Sequence, residues 1–288
     1  MSRAPLAVIT KFYDEPDYLP VWLRHYAREI GPAHCYLLDH GSDDGSVRDL
    51  GGANVVHLPR SAQDNNEAVR LVRLFARSLL RRYRYVLYTD IDEMVLADPD
   101  RAATLADHAE DCRLPVVAMT GLQLVEVTRL EAPLDTSRPL LDQRRHVWFH
   151  ASMCKPTLTS GPDSWSPGFH CMAQPAPFDD LCLFHLRYAD RDIGLRRLHR
   201  SRNQAWSHPQ AASHQRMRDE DWIARLDSFG SARAAEARPL AECAGELEAC
   251  RAALTASRAG REGETYRIDL DITGDRLWTL PERFRGRI

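Results

Sequence analysis

The feature that most constrains the fold is a pair of acidic residues directly after an apolar strand. Residues 85–88 (Tyr-Val-Leu-Tyr) are aromatic or apolar, which predicts a buried strand, and Asp90 and Asp92 follow one residue apart. Alternate side chains of an extended segment share a face, so both carboxylates point the same way. In an open α/β sheet, the carboxyl end of a strand is where ligands bind.

Two hard oxygen ligands side by side suit Mg²⁺ or Mn²⁺, which completes its coordination shell with water and substrate phosphates. The alternative is a solvated turn that caps a strand, which is what an isolated acidic triplet usually forms. Here the preceding helix, at residues 64–80, carries one apolar stripe and leads into the strand. The sequence therefore favours a divalent-cation site at Asp90 and Asp92.

The composition is that of an ordinary globular protein and argues against a nucleic-acid surface. The 288 residues are 44% hydrophobic and 27% charged, and 38 basic against 41 acidic residues give a net charge of −3. No apolar run approaches the roughly 18 residues that a membrane span needs. The seven cysteines show no CxxC spacing and the sequence shows no signal peptide, which indicates reduced thiols. We therefore expect a cytoplasmic protein, and a peripheral contact with the membrane is left open. The only lysines are Lys11 and Lys155.

The first hundred residues alternate between predicted strands and predicted helices. Strands are expected at residues 6–10, 34–39, 54–58 and 85–89. Helices begin at Leu19 and near Asp64, a good N-cap residue. This order predicts an α/β fold whose central sheet is largely parallel, with right-handed crossovers and helices on its faces.

A second acidic strand end lies at Asp39, before a turn of small and helix-capping residues at 40–46 (His-Gly-Ser-Asp-Asp-Gly-Ser). The turn is not a calcium loop, because setting Gly45 as its glycine puts His40 and Gly51 where carboxylates are required. Strand-end acids in nucleotide-binding folds hydrogen-bond a ribose or a base, which is one interpretation of Asp39. A plain capped turn is the other.

The chain from residue 101 to 190 carries weaker patterns. Strands are expected on either side of Gly121 and again further along, at residues 114–119, 122–128, 145–149, 153–157 and 181–188. Residues 160–170 are rich in Gly, Pro and aromatic types and are predicted to form a loop. Loops of this length inside a domain usually serve function.

From residue 191 onward the chain becomes Arg-rich and helical, with a strand-like tail at 265–280. We therefore expect a catalytic domain at 1–190, made of halves 1–100 and 101–190, and a C-terminal helical extension at 191–288. Near-heptad spacing at residues 240–258 leaves two interpretations open. One is a self-association seam that would make a homo-oligomer, and the other is an intramolecular packing face.

Three motifs, in order, resemble GT-A glycosyltransferases of the family-2 type, in the bacterial subgroup with an Asp-x-Asp-Glu motif. Residues 8–19 resemble that family's opening, which is a strand, then Tyr-Asn-Glu, then an apolar helix that starts Tyr-Leu. Residues 38–46 resemble its Asp-Asp-Gly-Ser-x-Asp-Gly-Thr turn, and residues 89–93 resemble its metal motif. The resemblance covers about the first 100 residues. His40 and Asp14 depart from it, standing where the family has an acid and an asparagine.

The resemblance implies a GT-A fold, with a Rossmann-like sheet, and a nucleoside-diphosphate sugar as donor, most readily a UDP-sugar. It assigns the donor nucleotide to Thr10, Asp39, Gln63, Asn66, Arg70 and Asp90. It assigns a Mn²⁺ or Mg²⁺ ion to Asp90, Asp92 and a late histidine, His185, whose other interpretation is a satisfied core histidine. That ion would stabilise charge on the leaving nucleoside diphosphate.

An inverting transfer, which we expect, needs a carboxylate that takes the proton of the acceptor hydroxyl. The candidates are Asp163 in the 160–170 loop and Glu93 beside the metal motif, and then Asp179 and Asp180. On the acceptor side, the expected residues are Trp165, which is placed to stack on a sugar face, and His170. A retaining transfer would need no such base.

The sequence thus predicts a metal-dependent, hexosyltransferase-like enzyme that transfers sugar to a saccharide or glycoconjugate acceptor in polysaccharide or glycoconjugate assembly. A nucleotidyltransferase is the first rival. Such enzymes carry a Gly-rich basic loop after the first strand, whereas residues 10–13 (Thr-Lys-Phe-Tyr) contain no glycine. The second rival is a non-catalytic carbohydrate- or partner-binding protein on the same fold, against which the intact pair of Asp90 and Asp92 argues.

Overall fold

Strands and helices alternate along the chain, which the computed structural model describes at residues 3–161, 164–208 and 213–288, with the backbone alone at 213–214, 231–232 and 261–262. The strands are β1 (Ala4–Phe12), β2 (Cys35–Asp39), β3 (Asn54–His57), β4 (Tyr83–Tyr88), β5 (Glu93–Ala97), β6 (Val116–Val125), β7 (His146–Phe149), β8 (Leu158–Thr159), β9 (Phe178–Tyr188), β10 (Arg238–Pro239), β11 (Ala259–Glu262), β12 (Thr265–Arg267) and β13 (Trp278–Thr279). The helices are α1 (Leu19–Ile30), α2 (Asn65–Leu79), α3 (Leu105–Asp111), α4 (Leu140–Gln143), α5 (Arg191–Asn203), α6 (Asp219–Asp227), α7 (Ser231–Ala235) and α8 (Ala244–Ala256).

Eleven strands of the described chain form one large central sheet. Its order is β10-β13-β7-β6-β8-β4-β1-β2-β3, with β9 paired to β6 and β5 paired to β9. The run β4-β1-β2-β3 is parallel throughout, as the βαβ pattern of the sequence predicts. Beyond β4 the sheet is mixed, because β8 pairs antiparallel with both β4 and β6. The predicted α/β class, with helices flanking a large sheet, is confirmed.

Helices cover both faces of the parallel half of the sheet. Successive side chains of a strand point to opposite faces, and in β1 both faces are apolar. Val8 packs into the cluster that contains Trp22 of α1, while Ile9 packs into the cluster that contains Val72 of α2. The carboxyl ends of these strands are therefore held rigidly between two hydrophobic cores.

Helix α2 begins where the sequence predicts. The Asp64 carboxylate accepts hydrogen bonds from the backbone N–H groups of Asn66 and Glu67. Such a cap satisfies donors that the first helical turn leaves unpaired. The helix then returns the chain to β4, whose end leads directly to Asp90.

Two predicted strands on either side of Gly121 are one continuous strand, β6. The prediction of a break was wrong because the glycine serves close packing. A Cβ built on Gly121 would lie 2.5 Å from the carbonyl carbon of Met153 and 2.7 Å from the backbone nitrogen of Cys154. Only glycine lets the chain at residues 153–154 approach the strand this closely.

The segment after residue 190 packs onto the rest of the chain. Strand β13 extends the central sheet by pairing with β7, and Trp278 and Phe284 lie in the principal hydrophobic cluster. Leu254 and Cys243, which have near-heptad spacing in the sequence, are buried in the same cluster. This part of α8 therefore has an intramolecular packing face. No helix in the described part of the chain has the length and apolarity that a membrane crossing requires.

Candidate functional site

The predicted site residues gather at the carboxyl edge of the parallel strands. In the sheet, β1 lies between β2 and β4 and is in register with both, with Phe12 opposite Asp39 and Ile9 opposite Tyr88. Asp39 therefore follows one neighbour of β1 and Asp90 the other. This is the position at which open α/β sheets bind ligands.

Asp90 is partly exposed and is held by two neighbours. The Tyr88 hydroxyl donates to Asp90 Oδ1 over 2.8 Å, and Lys155 Nζ donates to Oδ2 over 2.8 Å. The Asp90 side chain remains 42% exposed. Burial of the carboxyl opposes its ionisation, but the Lys155 ammonium outweighs that effect and lowers the pKa of Asp90. The carboxylate is thus charged and accessible.

Asp92 faces His185 because β5 pairs with β9. The register sets Glu93 opposite His185, and His185 Nε2 lies 3.2 Å from Asp92 Oδ2. His185 Nδ1 lies 2.8 Å from Gln123 Oε1, and the tautomer that pairs with this acceptor carries its proton on Nδ1. Burial lowers the pKa of His185 and favours the neutral ring. A neutral ring in this tautomer points the Nε2 lone pair at a carboxylate oxygen.

In that tautomer an imidazole lone pair faces a carboxylate oxygen, and a cation bound to both atoms would relieve their repulsion. Asp92 and His185 therefore fit a divalent ion as neighbouring ligands, and the Gln123 hydrogen bond orients the imidazole as partners of metal-bound histidines do. The described residues contain no cluster of three or more His, Cys, Asp or Glu side chains arranged as a complete metal site. Mg²⁺ and Mn²⁺ commonly take water and phosphate oxygens in addition to one or two carboxylates.

A guanidinium already contacts Asp92 from helix α5. Arg197 Nη1 donates to Asp92 Oδ2, and Arg197 Nη2 lies 3.1 Å from Glu15 Oε1. Arg200, one turn further along α5, lies 3.2 Å from Glu15 Oε2. The pKa of Asp92 lies well below its usual range, since the Arg197 guanidinium outweighs the effect of burial. The sequence prediction missed Arg197, because nothing in the Arg-rich stretch distinguishes this arginine from its neighbours.

Glu93 is enclosed rather than open to an acceptor. Its side chain is 1% exposed, and its Oε1 lies 2.5 Å from Lys155 Nζ. Its other oxygen accepts the backbone N–H of Asp90 over 3.1 Å. Burial raises the pKa of Glu93, and the Lys155 ammonium opposes that rise. This arrangement makes Glu93 a residue that positions Lys155 and Asp90, and it disfavours the prediction that Glu93 is the catalytic base.

Asp39 is buried and both of its oxygens are hydrogen-bonded within the protein. Ser42 N–H donates to Oδ1 over 2.9 Å, and His57 Nδ1 lies 2.9 Å from Oδ2. Thr10, on β1, is fully buried, and within the described chain its hydroxyl has no hydrogen-bond partner. Asp39 lies at the carboxyl edge of the sheet, as predicted. A ribose or base that binds Asp39 must compete with Ser42 and His57 for its oxygens.

A basic cluster links β1 to the turn after β2. Lys11 Nζ lies 3.1 Å from His40 Nδ1 and donates to Gln63 Oε1 over 2.9 Å. Arg60 Nη1 lies 2.9 Å from the same His40 nitrogen. Arg60 also lies over the Tyr13 ring, 3.5 Å from its centre. Gln63 thus contacts a basic residue to which the sequence prediction assigned no role, and its contact with a nucleotide stays a prediction.

Two other predicted nucleotide contacts lie on the solvent side of α2. Asn66 is exposed and its backbone N–H belongs to the helix cap. Arg70 has a side chain that is 71% exposed and pairs with Glu67 over 2.6 Å. The structure gives neither of them a contact with the Asp90 centre, so their roles stay predictions.

Trp165, in the predicted loop at residues 160–170, is not exposed to a ligand. Trp165 is 4% exposed, donates from Nε1 to the Pro156 carbonyl over 3.1 Å, and packs edge-on against Phe169. The prediction that Trp165 stacks on a sugar was wrong for this arrangement, because the ring fills a core beside Tyr88. His170 Nδ1 lies 2.8 Å from the Ser152 carbonyl oxygen. Asp163 lies outside the described residues.

The remaining base candidates are remote from the metal motif. Asp179 lies 3.2 Å from His108, and Asp180 lies 3.6 Å from Arg101. Both stand near the start of β9, whereas His185 stands near its end. Their contacts are those of structural and surface ion pairs.

Comparison with known proteins assigns the chain to no family. No protein-family model matches the sequence, and no curated protein matches it. A solved structure titled "Crystal Structure of a Mycobacterial Protein" aligns with 20% identity and a TM-score of 0.28, covering 47% of this chain and 45% of that one. This chain therefore spans less than half of that structure's length, and a likeness this low carries no assignment.

Proposed function

We propose that this protein is a metal-dependent glycosyltransferase of the GT-A type that transfers a sugar from a nucleoside-diphosphate donor to a saccharide or glycoconjugate acceptor. The observation that carries the proposal is the facing pair of Asp92 and neutral His185, 3.2 Å apart, beside the exposed carboxylate of Asp90. The three motifs of the N-terminal half support the same family. We place the reaction in the cytoplasm, with a UDP-sugar as the first donor to test.

In this proposal Asp90, Asp92 and His185 hold Mn²⁺ or Mg²⁺. When bound, the ion supplies Lewis-acid stabilisation of the charge that develops on the leaving diphosphate. Lys155 keeps Asp90 ionised and fixed, and Gln123 keeps the lone pair of His185 aimed at the site. Asp39 orients the nucleoside at the end of β2. These groups are positioned before the donor arrives, which is what electrostatic catalysis requires.

A base and a contact with the acceptor complete the proposal. An inverting transfer takes a proton from the acceptor hydroxyl, and Asp163 remains our candidate for that step. Glu93 is enclosed by Lys155 and does not reach an acceptor in this arrangement. His170 remains a candidate for contact with the acceptor.

The proposal is tested by incubating the protein with UDP-, GDP-, CDP- and dTDP-sugars and Mn²⁺, and measuring the released nucleoside diphosphate. We expect release from one nucleotide class, reduced on the order of 10²-fold or more in Asp92→Asn. The matched control is Asp221→Asn, which removes an exposed carboxylate paired with Arg218 on α6. Release that is equal in wild type and Asp92→Asn, or absent with every donor and acceptor mixture, would overturn it.

A further inference from the structure

Two cations meet at one neutral nitrogen atom at the carboxyl edge of the sheet. Lys11 Nζ lies 3.1 Å and Arg60 Nη1 lies 2.9 Å from His40 Nδ1. Their nearness lowers the pKa of His40 to about 4, after the larger effect of burial, so the ring is neutral and Nδ1 accepts. A ring nitrogen has one lone pair, so it satisfies the two donors only in part.

Among the residues that the structure describes, no carboxylate forms an ion pair with either cation. Within the described residues, the contacts of Lys11 are His40 and Gln63, and those of Arg60 are His40, Gln204 and the Tyr13 ring. The nearest strand-end acids are engaged elsewhere: Asp39 by Ser42 and His57, and Asp90 by Tyr88 and Lys155. Lys11 is partly buried, so its charge is costly without an anion in contact, whereas Arg60 is exposed and presents its guanidinium to solvent beside it.

The donors that remain fit an oxyanion with several oxygens. A lysine ammonium has three N–H donors, and the two contacts of Lys11 leave one. A guanidinium has five donors in a planar fork, which matches phosphate geometry. Arg60 uses Nη1 on His40 and Nη2 on Gln204 over 3.3 Å, and its plane is held against Tyr13.

We infer that Lys11 and Arg60 form a phosphate-binding subsite that is separate from the metal ligands and holds a phosphate of the nucleotide between the Asp39 and Asp90 strand ends. Strand β1 lies between β2 and β4, so Lys11 stands between the positions proposed for the nucleoside and for the metal. The identity of the ligand as a nucleotide rests on the proposed function. The subsite itself, a cation pair that binds phosphate oxygens without metal, does not.

Binding is tested with inorganic pyrophosphate in the presence of EDTA, by isothermal titration calorimetry. Because EDTA removes divalent metal, Asp90 and Asp92 then repel pyrophosphate. The affinity for pyrophosphate must therefore come from basic side chains. We expect Lys11→Met and Arg60→Gln each to weaken pyrophosphate binding about tenfold, as the loss of one charge-assisted contact does. Arg77→Gln, at the far end of α2, is the matched control and should bind as wild type does. Equal affinity in wild type, Lys11→Met and Arg60→Gln would overturn the inference.

A second measurement uses wild-type protein and so does not depend on how a variant folds. The chain has only Lys11 and Lys155, and the Lys155 side chain is 3% exposed, so acetylation followed by mass spectrometry resolves the two. We expect Lys11 to react and pyrophosphate or UDP to protect it, with Lys155 unchanged. Reaction at Lys11 that neither ligand slows would contradict the subsite. Protection by pyrophosphate but not by UDP would keep the subsite and remove the nucleotide from it.

Discussion

Arg197 joins Asp92 to Glu15: its guanidinium donates to Asp92 and also lies 3.1 Å from the Glu15 carboxylate. The contact ties helix α5 to the loop after β1 and to the acidic motif after β4. The same Asp92 oxygen faces the lone pair of His185. In the proposed site, Arg197 and a divalent ion would therefore compete for one carboxylate.

Replacing Arg197 is expected to strengthen metal binding while weakening the fold. Arg197→Met removes the cation that competes for Asp92, so Mn²⁺ should bind more tightly, as measured by the loss of the free-Mn²⁺ signal in electron paramagnetic resonance. It also leaves Asp92 without its guanidinium partner and Glu15 with Arg200 alone, which costs about 3–5 kcal/mol of unfolding free energy without metal. Arg196→Met is the control, since Arg196 is more exposed and pairs with Asp17. Weaker or unchanged Mn²⁺ binding in Arg197→Met would exclude competition.

Gln123 is expected to raise metal affinity although it contacts the proposed ligand His185 and not the metal. Its side-chain oxygen, 2.8 Å from His185 Nδ1, fixes the tautomer that presents Nε2. Gln123→Met keeps the size and apolar packing of the side chain but removes that acceptor. Loss of such a partner reduces metal affinity about 10–100-fold. A Mn²⁺ titration of Gln123→Met that matches wild type would show that His185 is a core histidine and not a ligand.

Nucleotide binding is expected to weaken as the pH rises through about 8. Burial and the neighbouring Arg60 lower the pKa of Lys11 to about 8, while Asp90 acts against them. A bound phosphate would favour the charged ammonium of Lys11. Above that pH the free protein has a neutral Lys11, so binding requires Lys11 to take up a proton and the affinity falls. His40 is already neutral there, so the pKa of Lys11 is the one in the basic cluster that this pH range crosses. Between pH 7 and pH 9, Lys11→Arg should lose less nucleotide affinity than wild type does. Equal losses of affinity in the two proteins would contradict the assignment to Lys11.

Lys155 is expected to be essential to the fold because it neutralises two acids. It lies 2.8 Å from Asp90 and 2.5 Å from Glu93, almost without exposure. Lys155→Met should lower the free energy of unfolding by about 3–5 kcal/mol, since it leaves Glu93 buried and unpaired. Adding Glu93→Gln should recover part of that loss, because the amide carries no charge. Urea denaturation of both variants measures this, and no recovery in the double variant would mean that Lys155 acts by packing alone.

The N-terminal half of the site could be predicted because its residues follow the strands that place them. Asp39 and Asp90 end strands that neighbour β1, and carboxyl ends of parallel strands meet at one edge. Asp92 and His185 come together through the pairing of β5 with β9, which the sequence did not reveal. Lys155 and Arg197 reach the acids from distant elements, and no local pattern distinguishes them. Trp165 was misassigned because a loop aromatic can fill a core as readily as it lines a surface.

The most direct test of the proposed donor site is nucleotide binding with and without metal. Thermal unfolding of wild type and Asp92→Asn would be followed with UDP, GDP, CDP and dTDP, each with Mn²⁺ and with EDTA. A ligand that binds the native state raises the unfolding temperature by an amount that grows with the logarithm of its concentration above Kd. The proposal predicts that one nucleotide stabilises wild type, more strongly with Mn²⁺, and that the Mn²⁺-dependent part disappears in Asp92→Asn. Stabilisation by Mn²⁺ and nucleotide that is the same in both proteins, or no response to any nucleotide, would contradict it.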